Sequence, residues 1–110
     1  MSKTQRDKGK RFEVMVAHLT GGKRHIRADY SESAPDVETD TFLIECKHYK
    51  SIAAIRFLEQ ATVYTERDPK ARIPLVMMRE DRGPVVAMIL ASDFLALVNM
   101  KKGTDDVSDL

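Results

Sequence analysis

At 110 residues the chain is long enough for one compact domain with a single core and too short for two. Its apolar share of 43% is ordinary for a soluble globular protein, and its longest apolar run, 85–91, is far short of a bilayer span. The net charge of +1 hides a segregation: the first 27 residues carry eight Lys/Arg and two acidic side chains, and residues 28–46 carry six acidic side chains and no Lys/Arg. A basic segment beside an acidic one suits a phosphate-binding surface next to a cation site, and equally suits two solvated faces that pair with each other.

Residues 1–8 are polar and read as loose. From about Lys10 the pattern turns helical, with Phe12, Met15, Val16 and Leu19 at i, i+3, i+4 and i+7 in one apolar stripe. Gly21 and Gly22 end that helix, because glycine takes the left-handed cap conformation without a Cβ penalty. HIRADY is expected as a strand with Ile26, Ala28 and Tyr30 on one face. PDVE and TFLIECKHY follow as two strands joined by a polar turn at Thr39 and Asp40. Helical spacing returns over 52–67, with Ala54, Phe57, Leu58, Ala61 and Thr65 on one side. IPLVMM and VVAMIL make two strands around the turn REDRGP, and Ser92 is placed as the N-cap of a last helix, DFLALVNM. The tail KKGTDDVSDL is expected to be disordered. The order is helix, three strands, helix, two strands, helix, a mixed α/β domain over 1–110 with an ordered core of about 6–98.

Chemistry gathers at residues 34–47, APDVETDTFLIECK. Alternation along a strand puts Glu45 and Lys47 on one face and Ile44 and Cys46 on the other. A turn near Thr39 returns Asp36 to a place beside Glu45. Charges at the end of a buried strand cost desolvation free energy unless they are paired or bind something, so the stretch is either an acidic hairpin with a wet end or a metal site. In the metal reading, Asp36, Glu45 and the backbone carbonyl of Cys46 offer the all-oxygen ligation that suits Mg²⁺, with Mn²⁺ able to substitute. Lys47 would then orient a water or stabilise charge on a phosphate. In the bland reading the three charges are a surface ion-pair cluster worth little to stability. That reading leaves unexplained why they end the most apolar strand of this half.

PD, eight residues, then ECK resembles the signature of the PD-(D/E)XK nuclease superfamily. Within it the chain is most similar to archaeal-type Holliday junction resolvases and their small phage-encoded relatives. KGKRFE opens the first helix where those proteins carry a catalytic glutamate, and basic residues with SAPD lead into the acidic hairpin. The resemblance implies a restriction-endonuclease-like αβββαβ core with a mixed central sheet flanked by helices. It implies Asp36 and Glu45 as metal ligands, Lys47 as the catalytic lysine and Glu13 as an added acidic ligand or metal-water contact. Gln60 and Tyr64, one turn apart on their helix, match a Gln-x-x-x-Tyr pair of some superfamily members and as readily play a structural part. The implied function is a Mg²⁺-dependent endonuclease that resolves junctions. The alternatives are a nuclease of nicked, flapped or linear DNA and a catalytically silent DNA-binding module.

Glu13 also falls on the flank of the first helix's apolar stripe, from which it can reach the rim of a sheet. Lys8, Lys10, Arg11, Lys23, Arg24 and Arg27 are the phosphate-contact candidates, since duplex binding depends on neutralising several phosphates. Two symmetric cuts call for a two-fold homodimer, with DFLALV and the exposed part of VVAMIL as the expected interface. Cys46 is a single cysteine, so no internal disulfide forms, which fits a reducing, cytoplasmic setting, and no targeting segment is evident. It is expected as a packed thiol rather than a nucleophile.

Overall fold

The computed structural model describes residues 2–26 and 34–99. Along them run α1 (Lys3–Thr20), β1 (Lys23–Arg24), β2 (Val37–Glu38), β3 (Leu43–Ile44), α2 (Ile55–Glu66), β4 (Val76–Arg79), β5 (Val85–Met88) and α3 (Ala91–Val98). This is the mixed α/β element order expected from the sequence. The chain divides into two compact units, one running to Lys50 and the other spanning Ser51–Val98.

In the first unit α1 starts well ahead of its apolar stripe, so residues expected to be loose are helical. A capping box explains the early start: the Ser2 hydroxyl accepts from the Gln5 N–H at 3.2 Å, and the Gln5 side chain accepts from the Ser2 N–H at 3.1 Å. The helix ends as expected at Gly21, which sits in the left-handed region at φ 70° and ψ 18°. Strands β1, β2 and β3 form an antiparallel sheet in that order, with Arg24 opposite Val37 and Val37 opposite Ile44. Val37, in the middle strand, is fully buried and forms the core of this unit with Leu19.

The first strand lies earlier than the expected HIRADY. Gly22 lets the chain turn directly against β2, so pairing is already used at Lys23 and Arg24, and Ile26 is 81% exposed beyond the strand. Arg27, Ala28, Tyr30 and Ser33 lie outside the described residues, as does the tail from Met100. The turn between β2 and β3 falls where Thr39 and Asp40 were expected. The Thr39 N–H donates to the Phe42 carbonyl at 2.9 Å, and the Thr39 hydroxyl accepts from the N–H groups of Thr41 and Phe42.

In the second unit α2 buries Leu58, while Phe57, expected on the same side, is half exposed. Strands β4 and β5 form a four-rung antiparallel hairpin, closed by the Gly83 N–H donating to the Glu80 carbonyl at 2.9 Å. Ser92 lies inside α3 rather than capping it. The Phe94 N–H already donates to the Leu90 carbonyl, which moves the helix start back past Ser92. The strands thus pair in two small antiparallel sheets where one mixed sheet was expected. Within each described sheet the strands that pair follow one another in the chain, and each pair runs antiparallel. Among the described residues no helix is long and apolar enough to cross a membrane.

The loop after α2 is held by Asp68. Its carboxylate accepts from the Arg72 side chain at 2.7 and 3.0 Å and from the backbone N–H groups of Arg72 and Lys70. These bonds, the Arg72 side chain foremost, hold the carboxyl down at about 2, from an ordinary 3.8. A depressed folded pKa stabilises the fold above pH 3.8 and loses that contribution as pH falls through about 2. Asp68→Ala is therefore expected to melt below the parent at pH 7 and to converge with it at pH 2. Equal separation at both values would show that this carboxylate does not contribute through its charge.

Candidate functional site

One step beyond the paired residues Val37 and Ile44, the register puts Asp36 opposite Glu45. The Asp36 N–H donates to the Ile44 carbonyl at 3.0 Å and the Asp36 carbonyl accepts from His25 at 3.0 Å, so its backbone is held from both neighbouring strands. The residue is 7% exposed, and its carboxylate reaches past the strand end, where Oδ2 accepts from the Cys46 N–H at 2.7 Å. This bond replaces the ladder and keeps the chain extended after β3. Glu45 and Lys47 remain exposed while Ile44 and Cys46 stay half-buried, the alternation expected from the sequence.

Helix α1 brings Glu13 to the same place. Arg24, projecting from β1, donates from Nε to Glu13 Oε1 at 3.1 Å. The Cys46 thiol lies in the field of these carboxylates. It is pushed up from 9.0 to about 11, first by desolvation and then by the charges of Asp36, Glu13 and Glu45. At neutral pH the thiol is protonated, which suits a packed group and not a nucleophile. His48 packs on the ring of Phe12, centroids 5.4 Å apart, and lays the segment after Lys47 along α1.

A cavity of about 900 Å³ opens here. Its walls carry three carboxylates, Glu13, Asp36 and Glu45, and six cations: Arg6, Lys8, Lys10, Arg24, Lys47 and Lys50. The four residues expected to carry catalysis, with Cys46, therefore share one cleft, along with three of the expected phosphate contacts. Arg11 and Lys23 do not, and Arg27 lies outside the described residues. Arg11 lines a smaller hollow on α1 with Asp7, Lys10 and Val14, and Lys23 lines a separate one with His25 and Glu38, themselves paired at 2.9 Å. Gln60 and Tyr64 belong to the second unit, where Tyr64 is 79% exposed.

Sequence reasoning missed Arg6 and Lys50. Arg6 stands one helical turn before Lys10 and was legible once Ser2 and Gln5 are read as a capping box. Lys50 has no such signal, because the His48–Phe12 packing brings it in.

The donor set suits a hard cation. Mg²⁺ is commonly held by one or two carboxylates and keeps several waters, and Asp36 and Glu45 supply oxygens only. Among the described residues no three His, Cys, Asp or Glu side chains are grouped as a ready metal cage. Metal affinity here would rest on the two hairpin carboxylates, solvent and a phosphate.

Residues 10–98 match the model of a protein family described as the Y4bO third domain. No curated protein and no solved structure matches the chain.

Proposed function

We propose that this chain, which belongs to the Y4bO third-domain family, is a Mg²⁺-dependent DNA endonuclease with a restriction-endonuclease-like core, acting on four-way junctions as a homodimer. The observation that carries the reading is the shared cleft, in which Glu13, Asp36, Glu45 and Lys47 stand among additional lysines and arginines. A purely structural ion-pair cluster needs no surplus of cations and no cavity.

In this reading Asp36 and Glu45, with the Cys46 carbonyl and Glu13 in support, hold the Mg²⁺. Bound there, the ion supplies Lewis-acid stabilisation of a phosphodiester and a water of lowered pKa. The chain's own residues do the rest. Asp36 is preset by the Cys46 N–H, so its carboxylate needs no reorientation at the moment of reaction. Lys47, one alternation beyond Glu45, faces the same side and offsets charge growing on the phosphate. Arg6, Lys8, Lys10 and Lys50 neutralise neighbouring phosphates, which makes binding steeply salt-dependent. Apolar side chains left exposed on the second unit, Val85 at 62% and Leu97 at 64% among them, support a subunit contact through β5 and α3.

The test is cleavage of a labelled four-way junction, a matching linear duplex and a splayed arm, each with Mg²⁺, Mn²⁺ or chelator. Symmetric metal-dependent nicks on the junction, lost in Glu45→Ala, are the expected result. Cutting of all three substrates would retain the site and discard junction specificity. Binding with no cleavage under any metal would leave a silent DNA-binding module.

A further inference from the structure

We infer that Arg24 is a two-ended clamp: its Nε fixes the carboxylate of Glu13, and the forked end of the same guanidinium takes the phosphate of a phosphodiester entering the cleft. This deepens the nuclease reading and rests on it.

Arg24 is anchored by the sheet, since its backbone pairs with Val37, the residue next to Asp36. Its side chain therefore starts from a fixed point beside the hairpin carboxylates. The bond to Glu13 Oε1 uses Nε alone, at 3.1 Å, and both side chains are 23% exposed. A guanidinium has five N–H donors in a rigid plane: one Nη N–H runs parallel to the one on Nε, and the outward N–H groups of the two Nη atoms form a second fork at the far end. Among the described residues these Nη groups make no other hydrogen bond. A planar fork with two parallel N–H groups is the geometry that binds a phosphate bidentately. Arg24 also lines the cleft together with Lys47 and Lys10, so an anion held there would meet further positive charge.

An ordinary ion pair between α1 and β1 makes the opposite prediction about Glu13, which gives the test its sign. Removing a carboxylate from an anion-binding cleft should tighten DNA binding if charge alone matters. If Glu13 holds Arg24 in place for the phosphate, its truncation should weaken binding, because a long side chain must then be ordered on binding.

The experiment is fluorescence anisotropy of the full chain with labelled four-way junction DNA in chelator, so that no metal or turnover contributes. Glu13→Ala is expected to weaken binding about three- to tenfold, the ordering cost of one long side chain. Glu13→Gln keeps an oxygen that accepts from Nε and loses the negative charge, so it should bind at least as tightly as the parent. In an Arg24→Ala background, Glu13→Ala should no longer weaken binding. Arg24→Lys keeps the charge but cannot serve both partners, and should also bind about tenfold more weakly.

Tighter binding by Glu13→Ala overturns the clamp and leaves the nuclease reading standing. A parent that binds no DNA removes the nuclease reading itself. Should Glu13→Ala melt below the assay temperature, the Gln and Lys variants decide: Arg24→Lys binding like the parent overturns the clamp.

Discussion

Asp36→Asn is expected to lower the metal-dependent cleavage rate by about a thousandfold, roughly 4 kcal/mol of transition-state stabilisation, while leaving the fold in place. The two halves of that expectation come from different atoms. Asp36 is 7% exposed and its Oδ2 accepts from the Cys46 N–H at 2.7 Å. Asparagine keeps an oxygen for this bond and removes the charge. The hydrogen bond then falls from a charge-assisted to a neutral one, a loss of about 1 kcal/mol in stability. Asp36→Ala removes both, leaves the Cys46 N–H without that acceptor, and should cost about 1–3 kcal/mol besides the activity. Cleavage rates at saturating Mg²⁺, read beside thermal melting of both variants, check this. An asparagine variant that cuts at the parental rate would exclude Asp36 as a ligand and leave it a structural carboxylate.

Gly22→Ala is expected to destabilise the first unit by roughly 2–3 kcal/mol, the upper range for forced overpacking. An added Cβ would stand 2.7 Å from the Glu38 carbonyl oxygen, 2.9 Å from Val37 Cγ1 and 3.0 Å from Thr20 Oγ1. None of these is the far end of a flexible side chain. Glu38 is paired with Lys23 on one side and Leu43 on the other, and Val37 is fully buried, so relief requires moving β1 away from β2. In a domain of this size such a loss lowers the melting temperature by roughly 10–20 °C. Gly21→Ala is the comparison, because its cost is left-handed backbone strain at φ 70°, about 1–2 kcal/mol, with the β1–β2 contact untouched. The order expected in a melting experiment is parent, Gly21→Ala, then Gly22→Ala. A Gly22→Ala protein that melts with the parent would mean β1 yields without penalty. Because β1 carries Arg24, the same variant should also loosen the Arg24–Glu13 bond.

The hairpin was legible in the sequence because its signals are local. Pro35-Asp36, the polar turn at Thr39 and the alternation through Lys47 all act within a dozen residues, and pleat and turn chemistry translate them directly into a register. The end of α1 was legible for the same reason, since Gly21 has one conformational use there. The start of α1 was not read from periodicity, because its first two turns have no apolar stripe. Its signal was Ser2 and Gln5, whose reciprocal bonds replace packing as the reason for helix. Ser92 was misplaced by the converse: a good capping residue says nothing when the Phe94 N–H already bonds to the Leu90 carbonyl. HIRADY failed because alternation over six residues cannot tell whether pairing has already been used two residues earlier. That depends on how closely Gly22 lets the chain approach β2.

The sequence by itself determined the element order, the turn at Thr39 and the placing of Asp36 opposite Glu45, since each follows from residues near one another in the chain. Only the tertiary structure decided that Glu13 joins them, that Arg24 holds Glu13, and that Lys10 shares the cleft while Arg11 and Lys23 do not. Those relations depend on how α1 lies against the sheet. A helix rotates its side chains by 100° per residue, so Lys10 borders both the cleft and the hollow beside it while Arg11 borders the hollow, and sequence distance carries no information about which residue reaches the cleft.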